Sequence, residues 1–177
     1  MNEIKRTVKF TLKKFQELSE QEQALLKAAK RVRKNAQAPY SKFAVGVAVL
    51  SAKGTVHVGC NVERCSWSQT THAEQNAIDS MVAEHGSLKV EMVVVVAAPV
   101  GKKIILSPEN NKEVVASLES VTFPCGHCLQ IIWENCYNDP TVKIIGGKSD
   151  GTFVVAAIAD LLPVRFGPKQ LGIDYSK

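Results

Sequence analysis

No run of apolar residues reaches the ~18 that a membrane span needs; the longest, around 92–100, is strand-sized and bounded by Pro99 and Gly101. The basic N-terminus lacks an apolar core followed by a small-residue cleavage site, so no secretory signal is expected. Glu3 and Glu17 also interrupt what a mitochondrial presequence would need. Repeats and low-complexity segments are absent. The cysteines cannot all pair, because there are five of them, and two fall in a single C-x-x-C. A reducing, cytoplasmic setting with metal-bound thiolates is therefore expected in place of a disulfide framework.

What is present is ordinary for a globular chain. It has 177 residues, 45% of them hydrophobic, enough for a domain with a single core. The net charge is +5. Part of it falls in two clusters: Lys5, Arg6, Lys9, Lys13 and Lys14, then Lys27, Lys30, Arg31, Arg33 and Lys34. Both are expected to be solvated helix faces, with nucleic-acid patches as the alternative.

Residues 1–18 form a basic extension whose pattern fits two structures. Val8, Phe10 and Leu12 alternate as in a strand, while Phe10, Lys14 and Leu18 could line a helix. Ser19 followed by Glu22 is a capping box, which predicts a helix over 20–36. A strand over 43–50 and its hairpin partner over 55–62 follow, joined at Gly54. The pattern then predicts a helix over 72–85 stopped by Gly86, and a strand over 90–98 buried on both faces. The connection over 99–121 is long, with a helical turn-and-a-half near 114–118. A helix over 125–136 and strands over 142–145 and 153–157 complete the set. The short link through Gly146, Gly147 and the Asp150-Gly151 turn makes the last two strands antiparallel. The tail from Leu161 is expected to lie over the surface. These elements predict an α/β chain with three α/β/α layers and a central mixed sheet of about five strands.

Two segments carry chemistry: Thr71-His72-Ala73-Glu74-Gln75-Asn76, and Phe123-Pro124-Cys125-Gly126-His127-Cys128. Each alone is a weak signal. Together, each opening a predicted helix, they match the H-x-E with P-C-x-x-C pattern of zinc-dependent deaminases. A catalytic zinc takes three protein ligands and leaves a fourth position for water. Cys125 and Cys128 are one helical turn apart, so both sulfurs can face one point, and His72 closes the set. The positive ends of both helices favour thiolate there. Two thiolates and a neutral imidazole balance one zinc per chain. Glu74 is two residues from His72, so it is expected beside the metal, where it can move protons between water, ring nitrogen and departing amine. A closed structural zinc knot would need a fourth ligand from His127, Cys136, Cys60, Cys65 or His57.

On these residues the chain resembles the free-nucleoside cytidine deaminases. Further segments carry the resemblance: Ala38-Pro39-Tyr40-Ser41-Lys42-Phe43-Ala44-Val45-Gly46, Gly59-Cys60-Asn61-Val62-Glu63, and Leu161-Leu162-Pro163-Val164-Arg165-Phe166-Gly167-Pro168. The resemblance implies a single deaminase domain over 19–177, converting cytidine, deoxycytidine or a modified relative to the uridine counterpart with release of ammonia. By it, Asn61 and Glu63 hold the sugar hydroxyls and Phe43 packs near the nucleoside. The Ala73 N–H would hold the base carbonyl, and the Phe123 carbonyl would accept from the amine. Phe166 would stack on the base, often from a neighbouring subunit. A homo-oligomer is implied, a tetramer before a dimer, serving pyrimidine salvage with no membrane or nucleic-acid partner. His72 with the uncharged Gln75 resembles the histidine-ligand branch, since three-cysteine relatives usually carry arginine at the position of Gln75.

Three departures stand out. Leu129 replaces a common arginine, Phe123 replaces a serine or threonine, and the excess length near 102–120 is unusual. They bear on the substrate more than on the metal. The alternatives are a nucleic-acid cytosine deaminase, favoured by the basic clusters, and a non-catalytic zinc-binding homologue.

Overall fold

The structure is a computed structural model and describes residues 3–106, 121–147 and 151–173. The turn-and-a-half expected near 114–118, and the Asp150 half of the last turn, lie outside them.

Helix α1 (Glu20–Val32) starts where the capping box places it. The Ser19 hydroxyl accepts from the Glu22 N–H at 3.2 Å, and the Glu22 carboxylate accepts from the Ser19 N–H at 2.8 Å. A 3-10 turn, Arg33–Asn35, extends the helix. Strands β2 (Phe43–Ser51) and β3 (Val56–Cys60) form the hairpin. Helix α2 (Ala73–His85) ends at Gly86, whose φ of 74° is left-handed backbone that favours glycine. Strand β4 (Val90–Pro99), helix α3 (Gly126–Glu134), strands β5 (Lys143–Gly147) and β6 (Thr152–Ala157), and the short helix α4 (Ile158–Leu161) follow.

Among the described residues six strands make one sheet, not about five. The addition is β1 (Thr11–Lys14), from the basic N-terminal segment, which pairs antiparallel with β6. The order is β1-β6-β5-β4-β2-β3, with β4 and β5 parallel and every other pair antiparallel.

Alternation along the central strands builds three layers. Val47 and Val49 of β2, and Val93 and Val95 of β4, face α2 and α3, where Ala77, Ile78, Leu129 and Ile132 cover them. Ala48 and Leu50, with Met92, Val94 and Val96, face Leu25, Leu26 and Ala29 of α1. Two glycines let helices lie directly on the sheet. A Cβ on Gly46 would overlap Ala29 and Arg33 of the α1 region, and one on Gly59 would overlap the backbone of Ala73 and Ala77. The second contact seats the start of α2 against β3.

Arg33 departs from the expectation of a solvated face. It is 9% exposed, and its guanidinium donates to the carbonyls of Ala44 (2.9 Å), Ala98 (2.6 Å), Pro99 (2.9 Å) and Lys102 (3.3 Å). The planar fork of donors satisfies carbonyls at the ends of β2 and β4, which lysine could not do. No helix among the described residues is long and apolar enough to cross a membrane.

Candidate active site

His72 and Cys125 are the N-cap residues of α2 and α3, in extended backbone, and neither side chain caps its helix. Their carbonyls still accept the first helical hydrogen bonds, from Asn76 at 2.9 Å and Leu129 at 2.8 Å. Both side chains are thereby free to face away from the helices. Parallel pairing of β4 with β5 brings the two helix starts to the same end of the sheet.

There the donors converge. His72 Nδ1 stands 3.2 Å from Cys128 Sγ and 3.5 Å from Cys125 Sγ, and the two sulfurs are 3.6 Å apart. Tetrahedral zinc with the usual bond lengths has sulfur–sulfur edges of ~3.8 Å and nitrogen–sulfur edges of ~3.5 Å. The donor triangle therefore has zinc dimensions. Among the described residues these three form the metal-binding group here, and none of the five candidate fourth ligands joins it. The His127 ring packs edge-on to His72 at 5.7 Å between centroids. Cys136 is buried in the core, and His57 lies at the far end of α2 beside Glu84.

Glu74 is 5% exposed and outside the donor triangle, yet its carboxylate acts on Cys128. Burial first, and then Glu74 and Cys125, push the Cys128 thiol well above its ordinary pKa. A cation is what such a pocket needs in order to hold thiolate.

A cleft of about 240 Å³ opens on this group. It is lined by Phe43, Asn61, Glu63, Ala73, Glu74 and Phe123, together with the donors His72 and Cys125. Five of the six residues read as substrate-binding are thus gathered in one place. Phe166 is not: it is 60% exposed, outside the cleft, with its carbonyl accepting from Gln130. Ala73 is the first residue of α2, so its N–H has no partner within the helix.

Asn61 and Glu63 are already engaged. Asn61 accepts from the Val45 N–H at 2.9 Å and donates to the Phe43 carbonyl at 3.0 Å. The Glu63 carboxylate accepts from the N–H groups of Tyr40 and Ser41 at 2.9 and 3.2 Å, and from the Ser41 hydroxyl. The Ser41 hydroxyl above all, against the opposing effect of burial, holds the Glu63 pKa below its ordinary value. Each of the two side chains keeps spare capacity: one donor and one lone pair on Asn61, and about one acceptor site on Glu63.

Reading the sequence missed Ser41, Thr70 and Thr122, which also line the cleft. Ser41 lay inside a segment noticed for its resemblance, but a hydroxyl between Tyr40 and Lys42 announces no role. A larger cavity, about 770 Å³, lies beside Lys30, Arg33, Lys34 and Lys102 and contains none of the donors or Glu74.

Residues 19–142 match the cytidine and deoxycytidylate deaminase zinc-binding region. The chain belongs to that deaminase family. A cytidine deaminase of Sporosarcina psychrophila is 32% identical over 147 residues, covering 83% of this chain and 92% of that protein. One from Halalkalibacterium halodurans is 33% identical over 149 residues, covering 84% and 96%. The crystal structure of a Burkholderia pseudomallei cytidine deaminase superposes with a TM-score of 0.62 at 32% identity, over 81% of this chain and 97% of that one. As in the family, a zinc site is formed by one histidine or cysteine near a glutamate and a C-x-x-C pair.

Proposed function

We propose that this deaminase-family chain hydrolyses cytidine, deoxycytidine or a modified cytosine nucleoside to the uridine counterpart and ammonia. The observation that carries the reading is the zinc-sized triangle of His72, Cys125 and Cys128, with Glu74 unligated beside it in a nucleoside-scale cleft.

His72, Cys125 and Cys128 would hold one zinc per chain. Zinc held by such a set lowers the pKa of a water to about 7 and so supplies a nucleophile at neutral pH. Glu74 would take a proton from the attacking water and pass it to the ring nitrogen, which makes the adjacent carbon electrophilic. It then helps to protonate the amine, which leaves as ammonia, so one water is consumed and one ammonia formed. The Ala73 N–H would hold the base carbonyl, and the Phe123 carbonyl would accept from the amine. The free capacity of Asn61 and Glu63 suits two sugar hydroxyls, and Phe43 closes on the nucleoside. The histidine donor, with the uncharged Gln75, supports the histidine-ligand branch.

We assign Phe166 to the cleft of a neighbouring copy, which implies a homo-oligomer, a tetramer before a dimer. The single domain over 19–177 would act in the cytoplasm in pyrimidine salvage. A polymeric substrate fits less well, because burial of Arg33 removes a cation from the second basic cluster and the cleft is small.

The test is an ultraviolet assay of zinc-loaded protein on cytidine, deoxycytidine, cytosine and base-modified cytidines. Deamination of a free nucleoside, insensitive to added salt, is expected. Full zinc content with no nucleoside turned over would defeat the proposal, and steeply salt-dependent binding of single-stranded nucleic acid would favour the polymer reading.

A further inference from the structure

We propose that His57, Glu84 and His85 form a second divalent-metal site, of the zinc, nickel or copper class, tying strand β3 to the last turn of helix α2. His57 lies on β3 and is 6% exposed, while Glu84 and His85 are the closing residues of α2. Glu84 reaches both rings: His57 Nδ1 is 3.5 Å from its Oε2, and His85 Nε2 is 3.5 Å from its Oε1. The rings stand edge to face with centroids 5.1 Å apart. One donor atom from each of the three residues lies within 4.8 Å of the others.

The donor set points to a particular class of ion. Two imidazoles and a carboxylate suit zinc, nickel or copper, whereas calcium and magnesium prefer oxygen ligands throughout. Nitrogen and oxygen donors on tetrahedral zinc are ~3.4 Å apart, and each ring meets a different Glu84 oxygen near that distance, at 3.5 Å, so a turn of the carboxylate would bring one oxygen to an ion shared by both rings.

The buried ring is also held by a second partner. His57 Nε2 is 2.9 Å from Thr55 Oγ1, which is itself 2.6 Å from Ser51 Oγ. With Nε2–H donating to Thr55, the Nδ1 lone pair faces Glu84 and His85, as a metal ligand requires. A hydrogen bond on the outer nitrogen is the usual means of fixing a ligating histidine. In the opposite tautomer Nδ1–H would donate to Glu84 and no ion would be needed, so counting metal separates the two arrangements.

The placement gives such a site a purpose. Helix α2 begins with the donor His72 at its cap and with Glu74, and β3 runs on into Asn61 and Glu63. A tie at the far end of both elements fixes their relation without touching the cleft.

The test uses the full chain, equilibrated with excess zinc, freed of unbound metal and analysed by atomic emission. About two zinc ions per chain are expected for wild type, and about one for His85→Ala and for Glu84→Gln. Neither residue lines the cleft, so both variants should keep the wild-type rate on cytidine. Thermal unfolding gives an independent readout: a weak chelator should lower the midpoint of the wild type and leave that of His85→Ala unchanged. One zinc per chain in the wild type under excess zinc, or two in both variants, overturns the proposal. Since the count is separate from turnover, an inactive protein that still binds the second zinc would refute the proposed activity and not this site.

Discussion

His72 and Cys125 hold the same position on two different helices, and their donor atoms meet at 3.5 Å. Each is the last extended residue before its helix, so the first-turn N–H groups of both helices, which have no partner within the helix, lie at the end that carries the donors. That arrangement favours anionic sulfur and makes the site sensitive to the loss of any single donor.

Cys125→Ala should therefore remove one zinc per chain. Measured in a His85→Ala background, so that only this centre is counted, the zinc content should fall from about one to near zero. Full retention would mean that the ligands are other residues.

Glu74→Gln preserves the shape of the side chain but cannot carry a proton. Zinc content and thermal midpoint should be unchanged, while kcat on cytidine falls by roughly 10³. Wild-type turnover in this variant would take Glu74 out of the reaction.

Phe123 lines the cleft and packs against Phe10 of the N-terminal segment, with ring centroids 6.0 Å apart. Phe123→Ser should widen the cleft beside the scissile amine. The expected result is a shift in kcat/KM, by about tenfold, towards cytidines with a larger exocyclic group relative to cytidine itself. An unchanged ratio would show that the ring does not set the substrate.

Much of this was legible from the residues, for local reasons. Ser19 and Glu22 marked the start of α1, the valines of β4 a doubly buried strand, and the two motifs the donor triangle. Other features depended on distant partners. Whether Thr11 to Lys14 is strand or helix is decided by the free edge of β6, at Thr152 to Val155, which no local pattern reveals. Nothing in the Lys- and Arg-rich end of α1 distinguishes Arg33 from its neighbours; only the carbonyls brought to it by β2 and β4 do. Asn61 and Glu63 were read as sugar ligands, but their work in pinning residues 40–45 needed the fold to be seen. Phe166 was placed by resemblance, and within one chain the tail carries it clear of the cleft.

Glu22 joins layers as well as capping its helix. It is 2% exposed, and its Oε1 accepts from Lys143 Nζ at 2.6 Å, which links α1 to β5. Burial raises the carboxyl pKa, but Lys143, the Ser19 N–H and Lys13 together outweigh it and leave the pKa below the ordinary value of 4.5. The folded state therefore gains stability above that ordinary value and loses it as pH falls through the lowered one. Glu22→Gln should cost ~2 kcal/mol at pH 7 in urea unfolding, with the gap to wild type closing as the pH is taken down through the lowered value. A gap independent of pH would assign the loss to packing.

Arg33→Met should leave the carbonyls of Ala44, Ala98, Pro99 and Lys102 short of a donor. A loss of about 3 kcal/mol is expected, read as a fall in the unfolding midpoint with metal content intact. A change below ~0.5 kcal/mol would mean that water replaces the guanidinium at no cost.

Strand β1 has a consequence beyond the single chain. By lying along β6 it replaces a border containing Phe153, Val154 and Val155 with four residues that include Lys13 and Lys14. A protein shortened to begin at Leu18 would bare that border and the face of Phe153 now covered by Phe15. Its first fault would be clumping through edge-to-edge strand addition, well before any failure of chemistry.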